Sequence, residues 1–138
     1  MQHIPETLDW VKARSSCSLD AVFGVLREGI DSDIESINGL NRRSLKFYRN
    51  TEAPEKKLIV IGERDVGGLS IQMSVVFELK EDRIVVSKRK GNTFAPESSF
   101  EGIPSLNEKG ECLLRVDDEY FRQWQFRQKG LEELFFGF

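Results

Sequence analysis

Between Leu69 and Leu79 an apolar side chain stands at every second position. Leu69, Ile71, Met73, Val75, Phe77 and Leu79 alternate with Ser70, Gln72, Ser74, Val76 and Glu78. Successive side chains of a strand point to opposite faces, so strict period two means a strand with one buried face. Eleven such residues extend about 36 Å, long enough that twist and curvature are expected.

The residues before this strand look at first like a nucleotide site. The apolar run Lys57–Gly62 (KLIVIG) ends in glycine, and Gly67 and Gly68 follow. A phosphate loop needs strand, GxxxxGK[ST], then helix, because helix N–H groups and the lysine hold the phosphates. Gly62 and Gly67 have the spacing, but Gly68 and Leu69 occupy the Lys and Ser/Thr positions, and a strand follows. A dinucleotide-binding loop fails on the same ground. Glycine tolerates the positive φ of tight turns, so Gly67-Gly68 reads as a hairpin connection between antiparallel strands. The run KLIVIG itself reads as a strand covered on both faces.

The first forty residues have helical periodicity. Thr7 is a cap candidate for a short helix carrying Leu8, Trp10 and Val11, and Ser16 or Ser18 for a second helix. Leu19, Val22, Phe23, Leu26 and Ile30 share one face of that second helix. Gly29 is expected to separate it from a third, opened by Asp31 and Asp33 and stopped by Gly39. Ser44–Arg49 is a short strand candidate, and Ile84–Val86 pairs back on the long strand through the turn Lys80–Arg83. Residues 88–109 read as a loop pinned to the core by Phe94, Phe100, Ile103 and Leu106, and Glu111–Val116 as a further strand. Asp117 or Asp118 is expected to cap a last helix with Tyr120, Phe121, Trp124 and Gln128 along one face.

Composition bounds the function. The 138 residues, 39% hydrophobic with ten Phe, suit one domain over 1–138 with a real core. A net charge of −3 lacks the basic excess of a dedicated nucleic-acid binder. The opening residues have neither the basic nor the apolar region of a secretory signal, and no apolar run spans a membrane, so a cytoplasmic protein is expected. Cys17 and Cys112 fit no metal or redox spacing and read as two reduced, mostly buried thiols.

Catalytic chemistry finds little support. A Ser-His-Asp or Cys-His triad would have to be built on His3, the single histidine. One His and two scattered Cys make no zinc site. Asp31-Ser-Asp33-Ile-Glu35 resembles the start of a calcium loop, but Ser36 and Arg42 stand where Gly and Glu belong. No metal and no cofactor is expected. Two basic clusters, Arg42, Arg43, Lys46 and Arg49, and Lys88, Arg89 and Lys90, read mainly as solvated strand ends.

The expected fold is α+β, with N-terminal helices and a C-terminal helix packed on one face of a curved antiparallel sheet of four to six strands. That order occurs in unrelated groups, including cone-shaped ligand-binding domains and acidic dimeric secretion chaperones, so it carries no site by itself. The leading functional expectation is a non-catalytic binding protein acting through a protein partner or a homodimer. Its interface candidates are Leu134, Phe135, Phe136 and Phe138, in a chain end unusually rich in aromatics. The alternative is a cavity for a small apolar ligand. Met73, Val75, Phe77, Tyr120 and Trp124 would form its walls, Tyr48 or Arg49 would orient the ligand, and a buried carboxylate could carry acid-base chemistry.

Overall fold

The chain has the element order α1 (Trp10–Ser16), α2 (Leu19–Asn38), β1 (Leu45–Arg49), β2 (Lys57–Val66), β3 (Leu69–Leu79), β4 (Ile84–Lys90), β5 (Ser98–Leu106), β6 (Cys112–Val116), β7 (Glu119–Phe121) and α3 (Gln123–Phe136). It is seen in a computed structural model that describes residues 4, 6–91 and 98–138. His3 and Phe94, both weighed above, lie outside the described residues. The strands form one open sheet in sequence order, every neighbour antiparallel. The fold is therefore α+β, with helices packed on a seven-stranded antiparallel meander.

The period-two run forms β3 with the bounds its alternation sets. Val66 pairs with Leu69 across Gly67 and Gly68, whose φ angles of +56° and +85° are the reason two glycines stand in that turn. Leu58 and Val60 of β2 face Phe77 and Val75 of β3 on the buried side. Ile59 and Ile61, on the other side, are half-buried, so β2 is not sandwiched between two layers as its apolar run suggested.

The core lies between the sheet and the helices α2 and α3. Phe77, Phe126, Leu26, Ile30, Leu58 and Leu134 are among its fully enclosed side chains. Phe126 stacks edge-on against Phe100 at 5.5 Å and Phe135 against Phe47 at 5.0 Å, the T-shaped geometry that aromatic quadrupoles prefer. A Cβ on Gly130 would lie 2.8 Å from Cζ of Phe77. The absence of that carbon lets α3 settle directly on β3 and β4.

Several local expectations are corrected. Asp9, not Thr7, caps α1 by accepting the Lys12 N–H, and Ser18 caps α2 through the Ala21 N–H. Gly29 breaks nothing, because α2 runs unbroken for 20 residues. A Cβ at position 29 would run into the Arg127 guanidinium, so this glycine serves helix–helix approach. The region 98–106 is a strand, and so is 119–121. Asp117, at φ +53°, and Asp118 turn the chain between β6 and β7, and the last helix starts later, after Arg122. Cys17 and Cys112 are not separate thiols but one disulfide, with Cα atoms 5.3 Å apart, tying the α1–α2 junction to β6.

The free edge of β1 is partly closed by a side chain. Asn38, the last residue of α2, donates to the Phe47 carbonyl at 2.7 Å and accepts from the Phe47 N–H at 3.1 Å. One amide group thus takes the place of a neighbouring strand at that position. Among the described residues no helix is long and apolar enough to cross a membrane.

Candidate interaction surface

Helix α3 lies beside α2, and the two run in the same direction. Near the start Gln123 Nε2 donates to the Val22 carbonyl at 3.3 Å. In the middle Arg127 Nε donates to Asp33 Oδ2 at 2.7 Å. Near the end Arg42 Nη1 donates to the Phe135 carbonyl, and its guanidinium lies 5.5 Å from the Phe136 ring centroid. The start of α3 is fixed by the Gln125 side chain, whose Oε1 accepts the Arg122 backbone N–H at 2.9 Å.

The outward side of this helix pair carries a groove of about 450 Å³. Ile37, Leu40, Leu131 and Phe135 supply apolar walls, and Asp33 with Arg127 a polar point. Three large side chains around it stay open to solvent: Trp124 is 55% exposed, Phe136 65% and Leu40 60%. Trp124, Gln128, Glu132 and Phe136 are spaced four residues apart, so they form one i, i+4 ridge along α3. Gln128 Nε2 donates to Glu132 Oε1 at 3.2 Å within that ridge.

The expected interface residues divide. Leu134 packs near Gly62 and Phe135 against Phe47, both buried, with one side of Phe135 lining the groove. Phe138 is half-buried against the core, and its carbonyl accepts from Arg64 at 3.1 Å. Phe136 alone of the four projects outward. Trp124, expected as a cavity wall, stands on the same surface instead.

The other expected ligand-site residues do not meet. Val75 and Phe77 are enclosed between sheet and α3, and Met73 is half-buried beside them. Tyr48 pairs with Ile61, one residue out of step with buried Phe47 and Val60, so it lies on the far face of the sheet. There it donates to Glu63 Oε1 at 2.6 Å. That bond, with partial burial and the carboxylate's charge, raises the phenol's pKa above its ordinary value. Arg49 binds Asp31 through Nε at 2.7 Å and Nη2 at 3.1 Å. It borders a polar cleft of about 500 Å³ between α2 and the β1–β2 connection. Tyr120 is exposed on β7.

Asp31 and Asp33 of the calcium-like segment are thus engaged by Arg49 and Arg127. Among the described residues no polar or charged side chain is fully buried, and no group of three metal-ligating side chains comes together. The basic clusters are dispersed likewise. Lys88 reaches Glu133 at 3.5 Å, and the Lys46 ammonium lies over the Tyr48 ring. Trp124 and Gln128 share one helix face as the sequence suggests, but the later helix start replaces Tyr120 and Phe121 on that face with Glu132 and Phe136. No family model matches the chain, and neither a curated protein nor a solved structure matches it.

Proposed function

We propose that this is a non-catalytic binding protein that captures a protein partner through the outer surface of α2 and α3. The observation that carries the reading is the pairing of exposed Trp124, Phe136 and Leu40 with the apolar groove they border. Single exposed apolar residues are ordinary on a monomer, but aromatics bordering a hydrophobic groove are the usual anchors of protein interfaces. The acidic net charge disfavours nucleic acid as that partner.

A photo-crosslinking residue placed at position 124 or 136 should trap protein adducts in cells, and the same residue at exposed Ser70 should not. Equal, diffuse labelling at all three positions would defeat the reading.

A small apolar ligand in the same groove is the second reading, favoured by a volume within the usual range for such sites. Native mass spectrometry beside a denaturing run would reveal a retained mass. The disulfide bears on location: cytosolic reductants keep most thiols free, so the Cys17–Cys112 bridge favours an oxidising compartment over the cytoplasm expected from sequence.

A further inference from the structure

We propose that the partner of this surface is a second copy of the chain, docked α3 against α3 about a two-fold axis at the level of Gly130. The inference deepens the proposed function and rests on its reading of the α2–α3 surface as a protein-binding face.

The ridge on α3 has a symmetry that a surface for an unrelated partner has no need of. Its order is aromatic, amide, carboxylate, aromatic: Trp124, Gln128, Glu132, Phe136. Positions 124 and 136, and 128 and 132, are equidistant from 130. Laid antiparallel against a copy of itself, the ridge sets Trp124 opposite the other copy's Phe136, and Gln128 opposite its Glu132. An amide donor then meets a carboxylate acceptor, twice by symmetry. The two groups already suit each other, since Gln128 donates to Glu132 within one chain. A two-fold interface requires this self-complementarity, in which residue i meets j and j meets i.

Helix-packing geometry agrees. Rows of i±4 residues incline about 26° to the helix axis, so two such rows interdigitate when the helices cross at about 50°. Each copy's ridge would then lie in the other's groove, against Ile37, Leu40, Leu131 and Phe135. The aromatic ends would cover the apolar surface that each chain alone leaves open. Trp124 and Phe136 together offer about 200–300 Å² per copy, from their exposures and a full aromatic area of 150–250 Å² each. Leu40, Ser36 and the polar pair add to this, yet the total stays at the small end for a specific dimer. The dimer should therefore be weak, in the micromolar range.

Sedimentation velocity of the disulfide-bonded chain from about 1 to 200 µM tests the inference, since that range brackets the expected Kd. Wild type should shift from monomer to dimer. Gln128→Glu places like charges opposite each other twice and should raise Kd about tenfold or more. The double variant Gln128→Glu/Glu132→Lys restores an opposite-charge pair both within the helix and across the axis, and should recover the wild-type Kd. Both side chains are exposed, so far-UV circular dichroism should show each variant folded. A dimer indifferent to Gln128→Glu, or a loss that the double variant does not rescue, overturns this geometry. So does a chain that stays monomeric throughout. In that case adducts to a different protein from position 124 would leave the docking surface standing, and no adducts would remove both.

Discussion

Reducing the Cys17–Cys112 bridge should cost this protein a large share of its stability. The bond joins residues 95 positions apart, so it closes a loop over most of the chain, from α2 through β5. In the loop-entropy account a cross-link over about 100 residues removes about 4–5 kcal/mol of denatured-state freedom. A chain of 138 residues is expected to have about 7–20 kcal/mol in total, so the bridge would supply about a fifth or more. With an unfolding entropy of about 2.1 cal/mol/K per residue, the expected fall in Tm is about 15 °C.

The comparison is between the oxidised protein and Cys17→Ala/Cys112→Ala, each melted by circular dichroism and calorimetry. Alanine is the right replacement because Cys17 is only 2% exposed, and a serine hydroxyl there would need a buried partner. Thiol alkylation of the denatured, unreduced wild type should add no label. Two labelled cysteines would refute the bridge itself. An intact bridge with a Tm difference under about 3 °C would refute the loop-entropy reasoning and place the constraint in a denatured state already ordered.

Three further outcomes are expected. Gly130→Ala would push a methyl into the Phe77 ring and Val86, and overpacking of about 1–3 kcal/mol should outweigh the roughly 1 kcal/mol gained in helix propensity; a urea midpoint at or above wild type would contradict this. Asn38→Ala leaves the Phe47 N–H and carbonyl on the β1 edge without their amide partner, and should cost about 1–3 kcal/mol in the same assay. The Tyr48 phenol, held protonated by its bond to Glu63, titrates above the usual value of about 10. A raised folded-state pKa means its contribution is complete below about pH 10 and fades as pH rises through the folded value. The stability gap between wild type and Tyr48→Phe should therefore shrink from pH 9 to pH 11, and a constant gap would count against the bond.

How far the sequence reveals this molecule depends on whether the deciding signal is local. β3 was legible because its alternation is a property of consecutive residues, and the Gly67-Gly68 turn because positive φ has few hosts. β5 was hidden because Gly102 and Pro104 look like loop residues. Gly102 is in fact the gap that admits Phe126, and β5 pairs β6 at Pro104. Gly29 suggested a break because propensity alone cannot see Arg127 arriving from a helix about a hundred residues away. The disulfide was missed for the same reason: Cys17 and Cys112 have no spacing to read, and only the meander brings β6 back to the α1–α2 junction. The candidate surface was half legible. An aromatic C-terminus was evident, but which of its aromatics point outward depends on where α3 starts.

On the proposed reading, helix α3 does two jobs with one short run of residues, which makes its pattern hard to read. Phe126, Gly130, Leu131, Leu134 and Phe135 face inward, while Trp124 and Phe136 face out. Outward, the two aromatics flank exposed Gln128 and Glu132, so only part of that side would gain from a second cover. What holds α3 in place does not depend on the second cover. Phe126 and Leu134 anchor it to the sheet, Gln123 and Arg127 link it to α2, Arg42 ties its end to the α2–β1 connection, and the disulfide ties the α1–α2 junction to β6. The groove therefore exists before any partner arrives, and docking need not carry the cost of ordering it. If the surface docks a partner as proposed, folding and docking are separable in this chain. Trp124→Ala with Phe136→Ala should leave the melting temperature within about 3 °C of wild type while association is lost, because side chains more than half exposed contribute little to the core. A double variant that unfolds would mean that the outward aromatics help hold α3 down, and that the surface is part of the fold and not a site built upon it.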